Sequence, residues 1–139
     1  GKNVDGVDPS LLVVEPESSM ERHSVGKLWH VTKMGQSHPK RFQMYRSHPD
    51  MPSHTITATS TASLAGPAHP FECRRFSIAE LKRLCGFPDD FVLTGSYEQQ
   101  AERLGRAVPP PMMRAIAEVV RDRILLPTAH KGRSYANVR

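Results

Sequence analysis

The sequence predicts an α+β fold in which short strands come first and helices follow. Residues 41–46 alternate polar and apolar side chains, which is the period of a strand with one buried face. Residues 55–59 are rich in β-branched side chains and also alternate, which predicts a second strand. From residue 77 onward, apolar residues recur instead at the three- and four-residue spacing of helices. We therefore expect a small piece with short strands, followed by a helical segment.

The first half of the chain carries one predicted helix. Residues 1–18 are expected to form a loose tail with one short strand at residues 11–14. Residues 19–34 can form a helix, and Gly35 is a natural residue to end it. Residues 60–70 are small and contain Gly and Pro, which predicts a loop. The shared face of the predicted helix consists of Val25, Leu28, Trp29 and Thr32.

Three helices are predicted in the second half. Ser77 and Glu80 have the spacing of a capping box, so a helix should begin there, and Gly86 should end it. A short helix is expected at residues 98–104. The longest helix is expected at residues 111–126, because proline is favoured in a first turn. Its apolar stripe consists of Met112, Met113, Ile116, Ala117, Val120 and Ile124.

The distribution of prolines and apolar residues indicates where the core lies. Twelve prolines and nine glycines interrupt the chain often, which argues against a single large core. Apolar residues concentrate between Phe71 and Leu126, so the core is expected there. Three His-Pro pairs, at residues 38–39, 48–49 and 69–70, predict turns.

The composition narrows the class of partner. The formal net charge of +5 favours an anionic partner, nucleic acid first. Two cysteines without a CxxC pair exclude a disulfide framework and a four-cysteine zinc site, and no histidine pair has the spacing of helical metal ligands, so no metal is predicted. No run of 18 apolar residues occurs, so we expect no membrane span and a cytoplasmic protein.

Three blocks of the sequence resemble, in order, the C-terminal motifs of the DNA cytosine-5 methyltransferase family. Thr55-Ile56 resembles the pair that closes the target-recognition domain. Residues 105–110, followed by Ile116-Ala117, resemble the tenth motif, although Arg106 stands where the family usually has Asn. The block between them is similar to the ninth motif at Arg74, Ser77, Glu80, Arg83, Gly86, Phe87 and Pro88.

The resemblance implies a methyl-transfer reaction, but the motifs that carry the catalytic groups of the family do not occur in this sequence. In the family, a Cys thiolate in a Pro-Cys motif attacks cytosine C6 after base flipping, and S-adenosylmethionine supplies the methyl group. The sequence contains no Pro-Cys, no Glu-Asn-Val and no Gly-rich first motif, so it offers no catalytic residue and should be inactive alone. Cys85 is expected to be a small core residue. Cys73 would be reactive only if Arg74 and Arg75 lowered the pKa of its thiol.

The resemblance also divides the chain. After the tail of residues 1–18, residues 19–72 would be part of the target-recognition domain. Residues 73–127 would return to pack on a Rossmann-like methyltransferase domain, and residues 128–139 form a basic tail. Thr55 would contact a phosphate beside the flipped cytosine. The candidate DNA contacts are Lys33, Lys40, Arg41 and Arg46, and the residues expected to line the S-adenosylmethionine pocket are Gly105, Arg106, Ala107 and Val108.

Two functions follow as alternatives. The first is a C-terminal fragment or subunit of a bacterial or phage DNA cytosine-5 methyltransferase, acting in restriction-modification. It would bind double-stranded DNA and a partner that carries the catalytic motifs, and it would use S-adenosylmethionine only with that partner. The second is a non-catalytic DNA-binding or interaction module derived from such an enzyme. In either case the apolar stripe of the last helix makes self-association possible.

Overall fold

The computed structural model describes residues 19–59 and 66–127. The predicted tail at residues 1–18, with its short strand, and the predicted basic tail at residues 128–139 lie outside these ranges. The α+β class is confirmed. The elements are α1 (Ser24–Val31), β1 (Gln36–His38), β2 (Arg41–Arg46), β3 (Gly66–Ala68), α2 (Ile78–Leu84), α3 (Tyr97–Arg106) and α4 (Pro110–Val120), which a π-helical turn (Arg121–Leu125) extends.

The strands form one sheet in the order β1-β2-β3. β1 and β2 pair antiparallel, and β3 joins β2 parallel to it. The predicted strand at residues 41–46 is confirmed as β2, and its Met44 is buried. The predicted strand at residues 55–59 is wrong, and β3 falls within the predicted loop at residues 60–70.

The physical reason for both errors is packing between distant parts of the chain. Ile56 packs against the side chains of α2 and α3 rather than pairing with a strand. β3 contains only small residues, and Ala68 is almost fully buried. The Ala68 carbonyl accepts a hydrogen bond from the Ser47 amide at 3.1 Å. Small side chains let this segment lie flat beside β2, although they carry no strand signal of their own.

The buried apolar residues of the described ranges form two clusters. The sheet core joins α1 to the sheet, and the helix core joins α2 to α3. The prediction that the core lies between residues 71 and 126 is therefore wrong for the sheet core, most of which precedes it. The sheet core contains Met20, Val25, Trp29, Met44, Ala68 and Cys73. The helix core contains Phe76, Ile78, Leu81, Cys85, Tyr97, Ala101 and Leu104.

Helix α1 is shorter than the predicted helix at residues 19–34. It begins at Ser24, and Gly26 lies so close to the Met20 carbonyl that a Cβ there would clash with the backbone. It ends because Thr32 is extended, while the Thr32 hydroxyl donates to the Leu28 carbonyl at 2.7 Å. Gly35 has a φ of +76° and makes the turn into β1, so it does not cap the helix directly.

The three His-Pro pairs form their turns through the same kind of hydrogen bond. In each, the histidine Nδ1 accepts the backbone N–H of the residue two positions later. The distances are 3.2 Å from Lys40 to His38, 3.2 Å from Asp50 to His48, and 3.3 Å from Phe71 to His69. The predicted turn character is confirmed. The first of these turns joins β1 to β2.

Helix α2 confirms the predicted capping box. The Ser77 hydroxyl accepts the Glu80 amide at 3.2 Å, and the Glu80 carboxylate accepts the Ser77 amide at 2.7 Å. Gly86 ends the helix region with a φ of +72°. Helix α3 carries a second capping box at Ser96 and Gln99 and is slightly longer than the predicted helix at residues 98–104.

Replacing Ser77 with Ala should lower the free energy of unfolding by about 1 kcal/mol, because an otherwise orphaned amide loses its acceptor. The midpoint of chemical denaturation measures this loss. The matched control is Ser53→Ala, at an exposed serine outside any helix, which should leave the midpoint unchanged. Equal midpoints for Ser77→Ala and the parent would contradict the cap.

The chain divides into two compact units, residues 1–107 and 108–139. The described part of the second unit contains one helix, which begins at Pro110, one residue before the predicted helix at residues 111–126. It contains no buried residue. In the residues that the structure describes, no helix is long and apolar enough to cross a membrane.

Candidate functional site

The ninth-motif block is organised around the Arg74 guanidinium. Arg74 donates to both carboxylate oxygens of Glu80, at 2.7 and 2.9 Å, and to the Glu72 carboxylate at 2.6 Å. It also donates to the Arg75 carbonyl at 3.1 Å. Because Glu80 simultaneously caps α2, the arginine and the start of the helix form one closed network.

The pKa directions reflect this pairing. Burial raises the pKa of Glu80, but the hydrogen bonds from Arg74 and Ser77 outweigh it, so the pKa lies below its ordinary value. The hydrogen bond from Arg74 also lowers the pKa of Glu72. The pKa of His69, beside them, is lowered by burial and by the Arg74 charge. Both carboxylates are therefore ionised and His69 is neutral near pH 7.

The remaining ninth-motif residues hold the turn after α2. Arg83 pairs with both oxygens of Asp89, at 2.8 and 3.0 Å. The rings of Phe87 and Phe91 pack at a tilt of 46°, with their centroids 5.0 Å apart. Pro88 lies between them, and its carbonyl accepts the Phe91 amide at 3.1 Å. These contacts fix the chain as it leaves α2 towards α3.

The Thr55-Ile56 block meets the start of the tenth-motif block. Ile56 packs against the helix core. A Cβ at Gly105 would clash with the backbone of Thr57 and Ala58, so only glycine fits there without a shift. Thr55 itself is exposed. The first two blocks, and Gly105 at the start of the third, therefore lie close together although they are distant in sequence.

The four residues expected to line the cofactor pocket do not form a turn. Gly105 and Arg106 belong to the last turn of α3, and only Ala107 and Val108 follow it in extended or irregular backbone. Arg106 pairs with Glu102 at 2.6 Å on the exposed side of the helix. The expectation of a Gly105–Val108 turn is therefore wrong, because the capping box at Ser96 starts a helix long enough to include the first two residues.

The candidate DNA contacts separate into two kinds. Lys33, Lys40 and Arg41 are exposed. Lys40 and Arg41 lie at the tip of the β1–β2 hairpin, whereas Lys33 precedes its other end. Arg46 differs, because its guanidinium lies 3.8 Å from the Trp29 ring centroid and donates to the Pro70 and Thr32 carbonyls. It holds α1 to the sheet.

The two cysteines are free and buried. Burial, together with the nearby Glu21 carboxylate, raises the pKa of Cys73 to about 11. The hypothesis that Arg74 and Arg75 lower this pKa is wrong. The Arg74 guanidinium is paired with the Glu80 carboxylate, and the Arg75 guanidinium lies over the Tyr97 ring. Cys85 lies in the helix core, as expected, and burial raises its pKa.

Sequence reasoning missed the residues that tie the ninth-motif network to the sheet core. The Trp29 indole donates to the His69 carbonyl at 2.9 Å, and the His69 ring lies beside Glu80 at 3.8 Å. The His69-Pro70 pair was a usable turn signal, but nothing in the sequence pairs it with Trp29, which is forty residues away.

Comparisons with known proteins agree on one family. The family described as C-5 cytosine-specific DNA methylase matches residues 11–122. The type II methyltransferase M.AgeI of Thalassovita gelatinovora is 38% identical over 72 residues, which cover 52% of this chain and 17% of the relative. M.BbvI of Brevibacillus brevis is 39% identical over 79 residues, covering 56% and 21%. M.Sau96I of Staphylococcus aureus is 29% identical over 112 residues, covering 81% and 25%.

The matched segment spans a quarter or less of the length of these three relatives. No solved structure matches the chain.

Proposed function

Since the chain belongs to the family of C-5 cytosine-specific DNA methylases, we propose that it supplies the end of the target-recognition domain and the ninth and tenth motifs of such an enzyme. Enzymes of this family transfer a methyl group from S-adenosylmethionine to cytosine in DNA. The relatives are named type II methyltransferases, so the modification step of a restriction-modification system is the proposed setting.

The observation that carries this proposal is the close packing of the first two motif blocks with Gly105, the first residue of the third block. Ile56 from the first block packs on the helix core, and Phe87 from the second block packs there as well. Gly105 from the third block lies against the backbone of Thr57 and Ala58. A chance match of short motifs would have no reason to show this mutual packing, so the packing supports a common origin of the three blocks with the family.

The catalytic groups are proposed to come from a polypeptide part with the family's other motifs. The sequence has no Pro-Cys, and neither cysteine has the low pKa of an attacking thiolate. S-adenosylmethionine would supply the methyl group when bound. The space beside Gly105 is filled by protein backbone, so the residues that fit a cofactor contact are the exposed Arg106, Ala107 and Val108.

The β1–β2 hairpin is the proposed DNA contact. Lys40 and Arg41 lie at its tip, and Lys33 lies before the start of β1, at the opposite end of the hairpin. These exposed cations can neutralise DNA phosphates. Arg46 is left out because its guanidinium is held by Trp29 and two carbonyls.

Binding to duplex DNA should be weak and strongly dependent on salt, with a Kd of about 10⁻⁴–10⁻⁶ M near physiological salt. Fluorescence anisotropy across a salt series measures it. The double variant Lys40→Ala/Arg41→Ala should reduce the slope of log K against log salt by about 2, because two phosphate contacts are lost.

The matched control removes the same two charges from exposed positions on the last helix, as Arg114→Ala/Arg123→Ala. It should leave the slope close to that of the parent. If both double variants reduce the slope equally, binding follows net charge alone and the hairpin is not the DNA contact. If no binding occurs even at low salt, the recognition role is refuted.

A further inference from the structure

Three side chains that could bind a metal converge at the edge of the sheet core. Glu21, His30 and Cys73 each offer one ligand atom, and these atoms all lie within 4.8 Å of one another. The closest pair is His30 Nε2 and Glu21 Oε2, at 3.5 Å. Cys73 is buried, whereas the other two side chains are more than half exposed.

The backbone fixes this convergence. The Met20 amide donates to the Cys73 carbonyl at 3.1 Å, and Ser19 forms a bridge with Arg74. These contacts hold Glu21 beside the segment that carries Cys73. Gly26 brings α1 into direct contact with the Met20 carbonyl. His30 lies in the last turn of that helix, with its ring edge-on to Trp29 at 5.1 Å.

We propose that Glu21, His30 and Cys73 bind a zinc ion, with a fourth position open to water. Zinc takes sulfur at about 2.3 Å and nitrogen or oxygen at about 2.0–2.2 Å, so the ligand atoms of a tetrahedral site lie roughly 3.5 Å apart. The His30–Glu21 pair already has that separation. Both of these side chains are exposed, so small rotations would close the remaining distance to the buried Cys73 sulfur, which already lies within 4.8 Å of their ligand atoms.

The mixture of sulfur, nitrogen and oxygen ligands favours zinc over calcium and magnesium. Calcium and magnesium prefer sites made of oxygen atoms alone. A thiolate, an imidazole and a carboxylate together suit a borderline-soft divalent ion, and zinc accepts all three. The exposure of Glu21 and His30 leaves the outer side of the site open to solvent.

The positive charge of Arg46 does not block the site. Arg46 is the cation that acts on Cys73. Its guanidinium is held against the Trp29 ring and donates to the Pro70 and Thr32 carbonyls. The Glu21 carboxylate attracts a divalent ion, and the ion displaces the proton of the Cys73 thiol on binding, so two anionic ligands then outweigh this one engaged cation.

This site departs from the absence of a metal predicted from the sequence. That prediction depended on closely spaced ligand pairs. Here His30 follows Glu21 by nine residues, and Cys73 comes only after all three described strands. Only the folded backbone brings the three together, so a search for short motifs does not find them.

Cobalt substitution tests the proposal directly. Co²⁺ added to the tag-free chain should give an intense near-ultraviolet thiolate-to-metal band and visible bands of a tetrahedral ion, and Zn²⁺ should displace both with about one ion per chain. Competition with a chromophoric zinc chelator gives the affinity. Cys73→Ser should abolish the thiolate band. Glu21→Gln and His30→Gln should each weaken zinc binding by at least about 100-fold, since even outer-shell changes cost 10–100-fold.

The matched controls are Cys85→Ala, at the other buried cysteine, and His48→Gln, at a histidine outside the cluster. Both should keep the band and the affinity, and circular dichroism confirms that each variant is folded. Since Glu21 and His30 are exposed, their variants report on binding even if Cys73→Ser does not fold. A missing band in the parent chain, or unchanged zinc affinity in both exposed variants, overturns the proposal.

Discussion

Replacing Arg74 with Met is expected to lower the free energy of unfolding by about 3 kcal/mol, because it leaves buried carboxylate charge without a partner. The Arg74 side chain is only 9% exposed, and that of Glu80 is 25% exposed. Glu80 would keep its cap to Ser77 but lose both hydrogen bonds from the guanidinium. Chemical denaturation of the purified chain at neutral pH measures the loss.

A double-mutant cycle with Glu80→Gln isolates the interaction free energy between Arg74 and Glu80. The two single losses should not add, because the second substitution removes a charge that the first has already left unpaired. Arg83→Met is the matched control, since Arg83 makes the same two-bond contact with Asp89 in a more exposed setting. Its loss should be clearly smaller, because solvent screens this exposed pair. Equal losses for Arg74→Met and Arg83→Met would contradict a special role for the buried network.

The dependence on pH gives a second readout. The pKa of Glu80 is lowered in the folded chain from its ordinary value of 4.5. The pair therefore contributes its full stability above pH 4.5 and loses it as the pH falls through the lower, folded pKa. The difference between the parent and Arg74→Met should be largest near neutral pH and should shrink in acid. A difference independent of pH would mean that the arginine acts through its packing alone.

Local signals in the sequence were sufficient for the helices of the second half. The capping box of α2 needs only Ser77 and Glu80 at the right spacing, and the structure has both hydrogen bonds. The same holds for β2, whose alternation is contained in six residues. Such features are predictable because the residues that cause them are neighbours in sequence.

The errors concern segments whose structure depends on a distant partner. Residues 55–59 have the composition of a strand, but they lie against α3, and Ile56 is drawn into the helix core. β3 has the composition of a loop, and only its pairing with β2 makes it a strand. Strand propensity describes how a side chain fits a pleated surface, so it cannot decide whether a neighbouring strand is there.

In the candidate site, too, contacts between sequence neighbours could be predicted and contacts between distant residues could not. The ninth-motif pairing of Arg74 with Glu80 spans six residues and was within reach of the sequence. The role of Arg46 was not, because a basic residue in a turn-rich segment gives no sign of the Trp29 ring beneath it. Charge in the sequence indicates a candidate DNA contact, whereas the fold decides which guanidinium is free to make one.

Methyl transfer to DNA by the purified chain is expected to stay at background, and a polypeptide carrying Pro-Cys and the first motif should restore it. The proposal of a methyltransferase segment requires this result, because the chain itself offers no attacking thiolate. A labelled methyl group on S-adenosylmethionine, followed into DNA, is the measurement. Turnover by the chain alone would refute the assignment of catalysis to a separate part. DNA binding without restored transfer would favour the non-catalytic module.

The apolar face of α4 is where we expect that partner to bind. Met112, Ile116 and Val120 are 56%, 45% and 38% exposed. They recur every four residues and so share one side of the helix. Burying each contributes about 1.5–3 kcal/mol, so leaving all three in water is unfavourable. A catalytic part that covers this face would gain binding free energy from every one of them.

Ile116→Glu should therefore abolish the restored methyl transfer while leaving the rest of the chain folded. A carboxylate on the covered face would weaken association by about 100-fold or more, the equivalent of about 3 kcal/mol. Arg114→Glu introduces the same side chain on the opposite side of the helix and should preserve transfer. If Ile116→Glu retains full transfer, the catalytic part does not use this face. If the parent chain sediments as a dimer without any partner and Ile116→Glu is a monomer, the face joins two copies of this chain instead, and the partner must bind elsewhere.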